Sequence, residues 1–190
     1  VAGLETSPAT VEETEAAIDS FKPNNIIVCT GLLQTSSHRP EKNVTEFSSE
    51  WFNANLEANL LPSVRVAQHV SKMLDKSSNL KMLCLSARVS SITDNKLGGW
   101  YSYRMSKCAL NMFIKNLSIE WKRKSPNAIA ATYHPGTVYT DLSKEYVSGP
   151  EEGKVWTPEH AAKLLLENLD ALTPERSGDL IDWRGDTIEY

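Results

Sequence analysis

Tyr103 and Lys107, in the stretch Ser86–Lys107 (SARVSSITDNKLGGWYSYRMSK), set a phenol and an ammonium four positions apart. Four positions is about one helical turn, so on a helix the two side chains share a face. A cation beside a phenol favours the phenolate, which suits proton transfer near neutral pH. Moving a tyrosine from a pKa of ~10 to ~7 takes about 4 kcal/mol. One surface ammonium supplies at most about 1 kcal/mol, so a buried site with a second positive charge would have to supply the rest. Tyr101 stands two positions from Tyr103 and cannot share the Lys107 face.

The elements that must position this pair are legible on either side of it. The apolar run Met82-Leu83-Cys84-Leu85 has the character of a buried parallel strand over Leu80–Leu85 and ends in the small polar residues Ser86-Ala87. Gly98-Gly99 forms a loop, and a helical pattern then runs from Tyr103 to about Lys124. Its Lys122-Arg123-Lys124 end suits the negative pole of the helix dipole. Upstream, Val1–Glu5 is strand-like. Thr10-x-x-Glu13 is a capping box opening a helix Val11–Phe21, and Ile26–Cys29 is a second buried strand closed by Thr30-Gly31. A polar loop over residues 34–47 leads to one long helix from Ser49 to about Lys76, kinked at Pro62.

Downstream come a strand Ala128–Tyr133, the turn His134-Pro135-Gly136-Thr137-Val138-Tyr139-Thr140, and an irregular, mobile-looking segment Lys144–Lys154. Thr157-Pro158 caps a helix to about Leu172, and Gly178–Trp183 is the last strand. Strands alternating with helices predict an α/β fold with a parallel sheet covered on both faces. In such sheets ligands bind beyond the carboxyl ends of the strands. Gly31, Ser86–Ser91 and Pro135–Thr140 all follow strand ends.

Composition narrows the field. A net charge of −4 with no basic block argues against nucleic acid as the main partner. No apolar run approaches the ~20 residues of a membrane span, and no signal-peptide pattern opens the chain. Cys29, Cys84 and Cys108 are far apart in apolar patterns, which reads as reduced core thiols in a cytoplasmic setting, with no metal site. The length fits one domain over residues 1–190.

Two segments, LSARVSSITDNKLGGWYSYRMSKCALNMFIKNLSIEW from Leu85 and HPGTVYTDLS from His134, resemble the active-site and nicotinamide segments of the classical short-chain dehydrogenase/reductase family. The likeness is nearest to its C-factor-like and sniffer-like carbonyl reductases, and it runs over essentially the whole chain. It implies a Rossmann-like, doubly wound sheet and an enzyme that moves hydride between NAD or NADP and a small carbonyl or alcohol. It implies a homodimer paired through the helices Ser49–Lys76 and Tyr103–Lys124, with a position such as Phe113 facing the partner. Tyr103 would be the acid/base. Lys107 would lower its pKa, aided by an oxidised nicotinamide ring, and hold the ribose hydroxyls. Gly31 matches the glycine beside the adenosine ribose, and Pro135, Gly136, Val138 and Thr140 the backbone that grips the nicotinamide carboxamide. Asn59 matches an asparagine that holds a water joined to the lysine.

The sequence departs from the family in three places. Ala87 stands where relatives carry the serine that polarises the carbonyl, leaving Ser86 and Ser91 as equal candidates. Val28-Cys29-Thr30 replaces the Asn-Asn-Ala ahead of the glycine. The nine glycines nowhere form G-x-x-x-G-x-G, the turn that receives the cofactor pyrophosphate. With Val1–Glu5 resembling the family's third strand and Ile26–Cys29 its fourth, the first two strands are missing from between them. Their absence would leave a gap of about 10 Å, so the expectation is an N-terminally shortened fold. Ala87 and the missing turn favour an alternative, a non-catalytic signalling or scaffold protein. His134, at a strand end, reads as a packed, hydrogen-bonded residue.

Overall fold

Apolar runs too hydrophobic to face water on either side pair as parallel neighbours, and here they build a five-stranded sheet. The computed structural model describes residues 10–150 and 154–190. Strands β1 (Asn25–Val28), β2 (Lys81–Leu85) and β3 (Ile129–His134) are parallel, with Val28 beside Cys84 and Cys84 beside Thr132. β4 (Thr137–Val138) and β5 (Val155–Trp156) form a separate parallel pair. β6 (Leu180–Asp182) continues the main sheet in parallel beside β3, and β7 (Thr187–Ile188) closes it antiparallel. The order is β1-β2-β3-β6-β7, so β1 is an edge strand among the described residues. Val1–Glu5, expected as a strand, lies outside the described residues.

Alternating side chains of the strands feed two cores. On one face Met82, Cys84 and Ala130 meet α1 (Val11–Phe21), α3 (Leu61–Met73) and α4 (Tyr101–Lys124), with Trp121 fully buried among them. Trp121 also donates its indole N–H to Ser71 Oγ at 2.8 Å. On the other face Leu83, Ala131, Tyr133 and Ile181 meet Leu165 and Leu169 of α5 (Pro158–Ala171). Helices on both faces of a parallel sheet make the doubly wound arrangement that the sequence pattern predicts.

The Thr10/Glu13 capping box forms in full, and Thr157 caps α5 by accepting from the His160 N–H. The single kinked helix expected from Ser49 is instead two, α2 (Ser49–Asn59) and α3, broken at Leu60. Pro62 has no N–H to offer the carbonyl of residue 58, and its ring crowds that carbonyl. A first turn avoids both costs, and here a new helix starts there. α4 begins two residues earlier than expected, from Trp100 in the left-handed region at φ 52°.

The thiols also depart from expectation. Cys84 is buried and Cys108 half-buried, but Cys29 is exposed because β1 stops at Val28. The chain after Thr140 turns repeatedly through Tyr146, and residues 151–153 of the expected irregular segment lie outside the described residues. Among the described residues no helix is long and apolar enough to cross a membrane.

Gly136 has φ +78°, and a Cβ there would lie 2.7 Å from Trp156 Nε1 and 3.1 Å from Trp183 Cδ1. Those two rings meet edge to face at 5.0 Å and close over the glycine. Gly136→Ala therefore combines a left-handed backbone, costing an L-residue about 1–2 kcal/mol, with overlap against two large rings. Urea denaturation should show a loss of at least ~1.5 kcal/mol. An unchanged midpoint would mean that the rings move aside freely.

Candidate active site

The carboxyl ends of β1, β2 and β3 and the first turns of α4 surround one cavity of about 860 Å³. Gly31 follows β1, Ser86 follows β2, and Pro135, Gly136, Val138 and Thr140 follow β3; all line it, with Tyr103 and Lys107 from α4. Leu33, Leu85, Trp100, Leu142, Val147 and Leu165 make its apolar walls.

Lys107 is 2% exposed and donates to the Leu85 carbonyl at 2.8 Å and the Thr30 carbonyl at 3.3 Å. It has no carboxylate partner among the described residues. Burial pulls its pKa down to about 8, partly opposed by the nearby Cys84 and Cys29 thiols. Two of its three N–H bonds are thus directed to strand ends, leaving one for a ligand. A Cβ on Gly31 would lie 3.7 Å from Lys107 Nζ and 3.7 Å from Asn59 Oδ1, so the glycine opens the cavity next to the ammonium.

Tyr103 is 8% exposed, with the Trp100 ring edge-on at 6.3 Å. Its hydroxyl makes no hydrogen bond among the described residues. Burial pushes its pKa up to about 12 in the ligand-free site, where the second positive charge that the expected lowering calls for is not in place. The phenol is a retained acid, and its proton is uncommitted.

The two candidate serines separate cleanly. Ser86 lines the cavity and bonds to Asn111 Oδ1 at 2.8 Å. Ser90 donates to the Ala87 carbonyl at 2.5 Å, so it must accept from Asn111 Nδ2 at 2.7 Å. That fixes the amide: Asn111 Oδ1 faces Ser86, and Ser86 donates to it. Ser91 is buried away from the cavity, donating to the Glu189 carbonyl and accepting from the Asp94 N–H at 3.0 Å.

Asn59 does not line the cavity. Its amide clamps the chain after β1, accepting from Leu32 N–H at 2.7 Å and donating to Leu32 O at 2.9 Å, and it also reaches Ser106 Oγ at 2.9 Å. His134 lines the cavity, but its buried Nδ1 has no hydrogen-bond partner among the described residues, contrary to the packed and bonded residue expected. Burial, and then Arg88, pull its pKa down to about 4, so the ring is neutral at pH 7.

Sequence reasoning missed three residues. Asn111 continues the Tyr103, Lys107 spacing by four, a signal that was available. Trp100 and Glu41 carried none, since a left-handed helix start and a contact between residues 41 and 102 are set by tertiary packing.

Residues 6–151 match the short chain dehydrogenase family. The 1-hydroxy-2-glutathionyl-2-methyl-3-butene dehydrogenase of Rhodococcus sp. (strain AD45) is 39% identical over 123 residues, 65% of this chain and 51% of that protein. The C-signal of Myxococcus xanthus is 29% identical over 132 residues, 70% of this chain and 74% of that protein. The solved NADPH-bound carbonyl reductase from chicken fatty liver superposes with a TM-score of 0.77 at 21% identity, covering 97% of this chain and 74% of that one, a likeness of fold. The match with the Rhodococcus relative thus takes in about half of that protein's length. A parallel sheet ending in a cavity with Tyr103 and Lys107 one helical turn apart, and a family match over 6–151, make one conclusion: the chain belongs to the short chain dehydrogenase family.

Proposed function

We propose that the protein is an NAD(P)-dependent oxidoreductase that reduces a small-molecule carbonyl or oxidises the matching alcohol. One observation carries this reading: a buried ammonium without an acidic partner, Lys107, shares a cavity with a buried phenol whose proton is uncommitted. An unpaired buried cation is costly, and a ligand rich in hydroxyl oxygens relieves that cost.

The residues present fit the nicotinamide-ribose half of such a cofactor. Lys107 has a donor to spare beside Gly31, which leaves room for a close approach. Pro135, Gly136, Val138 and Thr140 line the same wall. When bound, the cofactor supplies or takes up the hydride. Tyr103 gives its proton to the carbonyl oxygen as negative charge develops there, and retaining that proton up to high pH suits the reductive direction. Ser86 touches the same oxygen region from the end of β2. Asn59 acts at a distance by holding Leu32, the residue that follows Gly31. Ser91 has a structural part in this reading, tying the loop after β2 to the C-terminal residues.

NADPH is bound by the chicken structure and a hydroxy substrate is named for the Rhodococcus relative, both in keeping with this chemistry. The likeness to C-signal, together with Ala87, favours the second reading, a family member that signals or scaffolds without turnover. Three free thiols fit a reducing setting such as the cytoplasm. A homodimer through α2–α3 and α4 is part of the proposal: Met105, Met112 and Ile119 are 39%, 62% and 50% exposed at seven-residue spacing along α4. Phe113, named from the sequence as a position that could face a partner, is half-buried and packs in part against the core of its own chain.

In stopped-flow assays of NAD(P)H oxidation with aldehydes, ketones and quinones, Tyr103→Phe should cut turnover roughly 10²–10⁴-fold while leaving cofactor affinity near normal. Lys107→Met should damage both. A parent that binds cofactor yet turns over none of these compounds would transfer the case to the scaffold reading.

Lys107 is charged below about pH 8 and neutral above it in the ligand-free site. NADPH affinity should therefore hold level on the acid side and fall by up to about tenfold per pH unit on the alkaline side. A curve flat to pH 10 would remove Lys107 from cofactor binding. Light scattering at tens of micromolar should give twice the 21.2 kDa chain mass, and Met112→Glu should return it to monomer. A parent already monomeric there excludes the dimer.

A further inference from the structure

We propose that Glu41 is a positioning residue for the acid/base tyrosine, acting as the N-terminal cap of α4 from a loop sixty positions upstream. The inference rests on the reading of Tyr103 given above. α4 receives no cap from its own start, because the residue before it is Trp100, whose side chain makes no capping bond. The first-turn N–H groups of a helix have no partner within the helix and must find one. Glu41 supplies it. Its carboxylate oxygens accept from the Ser102 N–H at 3.2 and 3.3 Å, and one of them also accepts from the Ser102 hydroxyl. Its own backbone carbonyl accepts from the Trp100 N–H at 2.5 Å.

Both halves of Glu41 therefore grip the two residues that frame Tyr101, one position short of Tyr103. The side chain is 2% exposed and has no lysine, arginine or histidine partner among the described residues. A buried carboxylate without a cation is tolerable where a helix N-terminus and converging donors face it. The approach is close enough to dictate neighbouring residues: a Cβ on Gly99, at φ +63°, would sit 3.3 Å from the Glu41 carbonyl. Holding Trp100 in its left-handed conformation also sets its ring against Tyr103 at 6.3 Å and Tyr146 at 5.1 Å. The Glu41 backbone carbonyl thus holds Trp100 in the cavity wall, and its carboxylate holds the turn of helix that carries the phenol.

The test compares Glu41→Ala, Glu41→Gln and, should the first fold poorly, Ser102→Ala, by amide hydrogen exchange and by steady-state kinetics. In Glu41→Ala the Ser102 and Tyr103 amides should exchange at least about tenfold faster, while those around Trp121 keep their protection. Turnover should fall roughly 10–100-fold with KM for NADPH within about twofold, because a misplaced acid slows the chemistry more than it weakens binding. Glu41→Gln keeps an acceptor and should recover most of the loss, and Ser102→Ala should move both readouts in the same direction by less. Unchanged exchange at Ser102 and Tyr103 overturns the proposal. So does faster exchange with turnover intact, or a fall in turnover matched by an equal rise in KM. If the parent reduces no carbonyl, the enzyme reading fails by itself, and the exchange measurement still decides whether Glu41 holds the tyrosine's turn of helix.

Discussion

The ammonium of Lys107 is the constraint on which the site's geometry depends. It sits 2% exposed beneath the strand ends, and its bonds to Thr30 O and Leu85 O tie α4 to both β1 and β2. Removing a lysine head group from water costs several kcal/mol unless its donors are met. Carbonyls at strand ends are the acceptors a parallel sheet leaves over once its ladder stops, so the topology itself provides them. Because α4 is pinned by that cation, the residues one turn to either side, Tyr103 and Asn111, are carried to the cavity and to the end of β2 without further adjustment. Burial pulls the lysine's pKa down to about 8.

What was legible in the sequence follows from how local each signal is. The strands at Ile26, Met82, Ile129 and Leu180 were readable because residues buried on both faces must be apolar throughout. The Thr10 and Thr157 caps were readable because capping chemistry lies within four residues. The break at Leu60 was half legible: Pro62 announces a disturbance, but whether a helix bends or restarts depends on what packs against it. Of the site, Tyr103, Lys107, Gly31 and the Pro135–Thr140 turn were placed at the cavity by motif and strand-end logic together. The choice between Ser86 and Ser91 was not available, since it turns on the contact of Ser91 with Glu189, 98 positions away. The ammonium alone does not lower the tyrosine pKa, since the strand ends take two of its donors.

The buried polar groups near the cavity divide into those that are satisfied and those that are not, and the division has a pattern. Asn59, Asn55 and Asn111 are 1%, 0% and 1% exposed and bonded on both ends of their amides or to backbone, which rigidifies the scaffold. Among the described residues His134 Nδ1 is the buried side-chain atom left without a partner, and the Tyr103 hydroxyl makes no hydrogen bond there either. Both residues line one cavity together with Lys107, which directs two of its three N–H bonds to carbonyls. Satisfied groups surround the site and unsatisfied ones face it, as expected where a ligand completes the bonding.

Directionality in the Ser86 network then bears on how a carbonyl oxygen is met. Ser90 has a single proton, and the Ala87 carbonyl takes it at 2.5 Å. Asn111 must therefore turn its NH₂ to Ser90 and its oxygen to Ser86, and the Ser86 proton is directed inward to that oxygen. Toward the cavity Ser86 presents lone pairs. In the position where relatives place a second serine stands Ala87, which has no proton to give. Tyr103, whose hydroxyl makes no hydrogen bond among the described residues, is then a donor available to an oxygen that gains negative charge. Ser86 is suited to accept from that same phenol or from a substrate hydroxyl. The departure at Ala87 thus need not disable the site. In the proposed reaction it would leave proton donation to Tyr103, the residue whose pKa burial raises.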